Sequence, residues 1–427
     1  MLIDQEIRLD SSVNELILAP IHCLEPNKFR HKYSQLTDIE AIHVTNTILA
    51  NKLAPLFLAY IRDNKLENLF KSEQLNKIIF QTKRYSFHSL ETVKEIYFLN
   101  KIFSENDLKP LYLKGSALMH EYRNVLLRPV VDIDILFKKD DLFFAYNLLE
   151  KHNFKQVDQN FPIEVTSNNK KILKETHHLP PLHRDTNIMI ELHHRITLPK
   201  DFSICPLSDN FFEETKPIKF KKIDIQTPSN ENLIIHQLIH FSLNTKFKML
   251  LRTFADVKVL QESHEINWEE IFLKYKEEKI RRALSLALEV INFNTVITKN
   301  LPLLREQFSN FFPPRDVVVK AYLKSFRIEK PVMNENIMLE LSKKPHSFAT
   351  FKIIMKRIFL TKKELVRAYE ILNINFFSLS YYYLINFFTK VFIHGATVVN
   401  LLLKKKESVS GFEPLEEIEN WVNKSIR

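Results

Sequence analysis

The chain has 427 residues, 45% hydrophobic and 26% charged, a balance that excludes a disordered or fibrous polymer and calls for two or three folded domains. Its net charge of +10 is spread along the whole length, which suits a polyanionic substrate such as a nucleoside triphosphate or an RNA end. Stable DNA binding is not expected, and the two cysteines, Cys23 and Cys205, lie too far apart to suggest a disulfide framework or a cysteine zinc site.

Met1 to Ile7 is charged early and lacks an apolar secretory core, so a cytoplasmic chain is expected. The stretch to about residue 105 reads as helical. Apolar residues recur at helical spacing from Thr37 to Leu56 and again from Leu90 to Phe103. Ser104 to Pro110 is a polar break. The texture then changes. Leu111 to Leu113 reads as a short strand entering Lys114-Gly115-Ser116, and Ala117 to Arg123 as the start of a helix. Arg128-Pro129 breaks the chain, and Val130 to Phe137 forms a second strand. Asp140 to Lys151 is a helix with an acidic first turn, which suits the helix dipole. Ser167 to Lys171 is a turn between strands, and Asn187 to His193 a later strand. Strands alternating with helices indicate an α/β or α+β unit.

Helical patterns return at Pro228 and run through Leu233 to Leu243, from Asn267, and from Arg281 to Asn292. Ile371 to Leu403 is apolar enough to approach a spanning segment, which needs about 20 apolar residues. Asn373, Asn375, Asn386, Lys390, His394 and Asn400 interrupt it, so packed helices of a soluble domain are expected. It is the one stretch where membrane contact stays open. The expected division is a helical region over 1–105, a core over 106–226 and a helical domain over 227–427.

Three motifs carry chemistry. Gly115 is one of only three glycines, so it marks a place where the backbone must bend or be approached closely. A strand-to-helix turn there would aim amide N–H groups at a phosphate, with Ser116 donating its hydroxyl and Lys114 adding charge. Asp132 and Asp134 stand two apart in a β-branched run, so both project from one face of a strand. Two close carboxylates repel, and a divalent cation removes that penalty. Glu191 lies in an apolar strand, where an acid is costly unless paired or metal-bound. It could complete a two-metal site or act as base. A strand-edge glutamate paired with Arg195 or a lysine is the plain alternative.

The other polar residues say less. Arg128 could grip a triphosphate by bidentate contacts. Arg252 and Asp256, four apart, would pair on a helix face. The pairs His177-His178 and His193-His194 lack the cysteines and spacing of a zinc finger. One histidine of each, His178 and His193, is expected to line the pocket. His236 and His240, one helical turn apart, read as a packed or pocket-facing surface.

Taken in order, Lys114-Gly115-Ser116-Ala117, Arg128-Pro129, Asp132 and Asp134, His177-His178, and Glu191-Leu192-His193 resemble the uncharacterised nucleotidyltransferase family of the DNA polymerase β superfamily. The run from Thr227-Pro228 through His236, His240, Arg252 and Asp256 to Asn267-Trp268 is similar to that family's helical continuation after the core. The resemblance covers roughly residues 40 to 300. It implies an α+β fold: a polymerase β-like core with a mixed β-sheet, flanked by N- and C-terminal helical regions. It implies Mg²⁺, two ions, held by Asp132, Asp134 and Glu191, and a triphosphate contacted by Gly115 and Ser116. The family more often has alanine after the glycine and an aromatic residue where His194 stands, a departure that touches the acceptor pocket.

The implied activity moves a nucleoside monophosphate from a nucleoside triphosphate to an acceptor, a small molecule, protein or RNA, and releases pyrophosphate. Two rivals stand beside it. One is a catalytically silent nucleotide- or partner-binding module on the same fold. The other is a toxin or effector that nucleotidylates tRNA or protein.

Overall fold

The computed structural model describes residues 11–157, 165, 176–186, 188–197, 206–220, 223–248, 251–293, 297–326, 377, 379–388 and 413–423. Contacts group 1–156, 165–328 and 421–427 into one compact unit, and 157–164 with 329–420 into a second. The N-terminal helices and the sheet fall within the same compact unit. The expected turn at 167–171 and most of 371–403 lie outside the described residues. Among those described, no helix is long and apolar enough to cross a membrane.

Helix α1 spans Asp38–Ala50 and starts on a capping box: Glu40 N donates to Thr37 Oγ1, and Thr37 N donates to Glu40 Oε2 at 2.7 Å. The apolar run does not continue unbroken to Leu56. Asn51 folds its amide back onto the Thr47 carbonyl at 3.0 Å, Lys52 turns left-handed at φ 58°, and α2 (Ala54–Asp63) begins with proline at its start. Helix α3 is long, Ser72–Glu105, and contains the expected Leu90 to Phe103 segment. Its buried Glu95 accepts a two-pronged contact from Arg184, whose guanidinium lies 3.6 Å from the Phe98 ring centroid. That pair ties α3 to the far side of the sheet.

The sheet has five strands in the order β1-β2-β5-β4-β3. They are β1 Leu111–Tyr112, β2 Asp132–Leu136, β3 Lys155–Gln156, β4 Leu182–His183 and β5 Met189–His193. Only β2 and β5 run parallel; the other neighbours are antiparallel, so the sheet is mixed. A short helix, α4 (Lys114–Leu118), follows β1, and α5 (Lys139–Lys151) follows β2. The helix expected at Ala117 to Arg123 starts three residues earlier and stops at Leu118, since Asn124 caps a separate turn over Val125–Leu127.

A hairpin of β6 (Thr215–Phe220) and β7 (Ile223–Pro228) precedes the C-terminal helices. Pro228 ends β7 rather than opening a helix, and Ser229 caps α6 (Asn230–Ile239). From Asn232 to Ile239 every α6 residue is buried, so α6 is a core helix. At His240–Asn244 it loosens into a π turn, a departure common at functional sites. Then come α7 (Arg252–Ser263), α8 (Trp268–Lys274, capped by Asn267) and α9 (Glu278–Ile291).

Candidate active site

The parallel pairing of β2 with β5 builds the site. Its register sets Asp132 opposite Met189 and Asp134 opposite Glu191. Register partners in a sheet share a face, so the acid predicted on a separate strand lies beside the Asp pair. Carboxylate oxygens of Asp134 and Glu191 and a ring nitrogen of His193 all fall within 4.8 Å of one another. Asp132 lies on the same face, outside that tight group but within electrostatic reach of both other acids.

The charge balance follows from burial. Asp134 is fully buried, yet Lys114 Nζ at 2.6 Å and His193 Nε2 at 2.9 Å hold it ionised, well below the usual carboxylate range. Glu191 is also held low: burial alone would raise it, but His193 Nε2, 3.3 Å away, outweighs that. Burial opposes a charge on His193, and its two carboxylates still push its pKa up. Asp132 goes the other way. Burial, then the neighbouring Asp134 and Glu191, raise its pKa against the pull of Lys114.

The residues present fit a divalent cation. Asp134 Oδ2 is buried and has no hydrogen-bond partner, while Oδ1 already has two. Two carboxylates, with His193 Nε2 already engaged between them, leave an oxygen donor set, which suits Mg²⁺ or Mn²⁺.

The glycine turn differs in detail from its sequence expectation. Gly115 is not left-handed; Lys114 is, at φ 44°. Gly115 is needed for space, because a Cβ there would sit 3.2 Å from both Arg128 Nη1 and Val130 Cγ1. Arg128 is clamped and Val130 buried, so neither yields easily. Gly115→Ala is expected to cost about 1–3 kcal/mol, the usual range for overpacking. Chemical denaturation checks it; unchanged stability would show that Arg128 and Val130 give way freely.

Two expected phosphate contacts are corrected. Ser116 is buried, and its hydroxyl donates to the Leu113 carbonyl at 2.7 Å, closing its own turn. Arg128 is spent internally: Nε and Nη2 donate to the two oxygens of Asp256 at 2.7 and 2.8 Å, and Nη1 donates to its neighbour's carbonyl at Pro129. Asp256 also accepts from Tyr122 at 2.7 Å. The expected pairing of Arg252 with Asp256 along one helix is therefore replaced by a pairing across elements. Arg252 instead donates to the Pro129 carbonyl at 3.2 Å. Two arginines thus fix the peptide just before β2, and with it the position of Asp132.

The histidines cluster. His178 bridges to His193 as an extra antiparallel pair, and their ring centroids lie 5.1 Å apart. His178 Nε2 lies 3.9 Å from Glu191, and its Nδ1 is 2.7 Å from the Leu179 carbonyl. His193 is buried and turned inward onto the acids, not toward a position for phosphate. His240 lines a cleft beside Asp132; burial, then Lys114, lowers its pKa to about 3, so it is neutral.

A glycine turn packed against a mixed sheet, with an acid pair on one strand and a third acid on its parallel neighbour, defines a nucleotidyltransferase core. The chain belongs to the uncharacterised nucleotidyltransferase family, whose model matches residues 37–293. No curated protein matches the chain. No solved structure matches it either.

Proposed function

We propose that the protein is a metal-dependent nucleotidyltransferase. It moves a nucleoside monophosphate from a nucleoside triphosphate to an acceptor on a small molecule, protein or RNA. The new bond joins the acceptor atom to the α-phosphorus, the α–β bridging P–O bond breaks, and pyrophosphate leaves. The register that sets Glu191 beside Asp134 carries this reading. Asp132, Asp134 and Glu191 would hold Mg²⁺, two ions, which supply charge to the triphosphate oxygens and the attacking group.

The chain's own residues do the positioning. Lys114 and His193 balance the buried Asp134, and His193 orients Asp134 and Glu191 by sharing one N–H face between them. Glu191, the most accessible member of the tight group, is placed to accept the acceptor's proton. The sheet holds all of this rigidly, and preorganised charge is the main catalytic resource of phosphoryl-type transfer. The setting proposed is the cytoplasm.

The test is incubation of the purified chain and cell extract with each of the four α-labelled nucleoside triphosphates, with Mg²⁺, Mn²⁺ or chelator. Metal-dependent label in one macromolecular or small-molecule fraction, with stoichiometric pyrophosphate, is expected. Label confined to tRNA or protein would point to the effector role. Nucleotide binding without pyrophosphate release would make the chain a silent binding module.

A further inference from the structure

Residues 377 and 379–388 are helical and belong to the second compact unit. Their burial runs opposite to that of a helix in water. Phe377, Tyr381, Leu384 and Phe388 are 83%, 60%, 57% and 63% exposed, while Asn386 is 3% exposed. An ordinary surface helix buries its apolar stripe and turns its polar residues to solvent. Steps of four, three and four residues set the exposed side chains in one line along the helix, about 16 Å long at the usual rise per residue. A continuous exposed apolar patch of this kind marks a surface that something other than water covers.

Charge says what covers it. No Asp, Glu, Lys or Arg occurs from Ile371 to Thr389. The flanking sequence is basic: 351–370 carries six lysines and arginines against two glutamates, and 390–406 carries four lysines and no acid. A second copy of the chain would set like charge against like charge. The uncharged run also lacks the flanking salt bridges that fix the register of paired helices. An anionic lipid surface complements the layout, since its headgroups attract the basic flanks and its acyl boundary accepts the apolar stripe. Three of the four stripe residues are aromatic, and the Tyr381 hydroxyl suits the headgroup level, where tyrosine rings settle. Among the described residues no helix is long and apolar enough to cross a membrane, so this one lies along the surface.

We propose that the face formed by Phe377, Tyr381, Leu384 and Phe388 docks on an anionic membrane surface. This docking requires no nucleotidyl transfer, and no acid of the β-sheet takes part in it.

Co-sedimentation of the full chain with vesicles tests this, with phosphatidylcholine alone and with phosphatidylcholine mixed with phosphatidylglycerol, each at low and high salt and against a vesicle-free control. Wild type is expected to pellet with the mixed vesicles, to bind phosphatidylcholine alone about 10-fold more weakly or worse, and to lose affinity as salt rises. Leu384→Ser and Phe388→Ser alter exposed positions and leave the net charge unchanged. Each is expected to weaken binding about 10-fold, as the loss of most of one apolar side chain from the contact implies. Phe388→Leu, which keeps an apolar side chain there, should retain most of the affinity. Phe377→Ser and Tyr381→Ser replace any serine variant that thermal melting shows to be unfolded. Absence of wild-type binding to the mixed vesicles overturns the docking face. Binding that the folded serine variants leave unchanged also overturns it, because charge alone then carries the attachment. A dimer that the serine variants dissociate, with no vesicle binding, overturns it and makes the stripe a contact between two copies.

Discussion

Asp132→Asn is expected to abolish nucleotidyl transfer and at the same time raise the melting temperature. The two effects share one cause. Asp132 is enclosed beside Asp134 and Glu191, and its pKa is raised by that burial and by those charges. Its ionised form therefore costs folding energy at neutral pH, a cost the neutral amide does not carry. The amide is also a much weaker metal ligand, so transfer should fall by about 10³-fold or more, as when an essential electrostatic group is lost. The sign of the pH dependence is set by the same shift. A group whose folded pKa lies above its unfolded one contributes stability at low pH and loses it as pH rises through the folded value. The stabilisation by Asn is thus largest above the folded value and fades as pH falls toward the unfolded aspartate value. Thermal unfolding of both proteins across that range, beside the transfer assay, checks it. A variant that keeps its activity, or one that melts lower at pH 7, contradicts the placement of half-buried Asp132 beside two other acids.

Breaking the Arg128–Asp256 pair is expected to have the largest effect on stability. Both side chains are nearly inaccessible, and Arg128 makes a two-pronged contact with Asp256 that Tyr122 completes. Removing one partner leaves a buried charge without compensation, which costs about 3–5 kcal/mol. Asp256→Asn and Arg128→Met should each lose that much in urea denaturation. The double variant Arg128→Met/Asp256→Leu should recover a large part of it, because no buried charge then remains. Additive losses in the double variant would show that the two residues act separately. The single variants should also lose transfer activity. Arg128 anchors the Pro129 carbonyl, three residues ahead of Asp132.

Much of the site was legible before folding. Alternation in β2 puts Asp132 and Asp134 on one face whatever the strand packs against. An acid inside the apolar run of β5 had to find a partner, and it did so in His193. Helix starts were readable where a side chain caps locally, as at Thr37, Ser229 and Asn267. The β6–β7 hairpin was not anticipated, nor was the break at Asn51–Lys52. Lys52 itself carried no mark in the sequence. The turn it occupies follows Asn51, whose side chain accepts from Leu251 N, a contact no local pattern encodes.

Sequence by itself determined the chemistry: which strands carry acids, how those acids are spaced, and that one scarce glycine sits in a tight turn. These follow from backbone geometry over a few residues, where side-chain period and local hydrogen bonding leave little choice. Tertiary structure decided allegiance. It paired β2 with β5 in the register that joins Asp134 to Glu191, turned Ser116 and Arg128 inward, and brought Gln237 and Thr253 to the cleft beside Asp132. A long cationic or hydroxyl side chain has several energetically similar partners, and only the packed core fixes which one lies within reach.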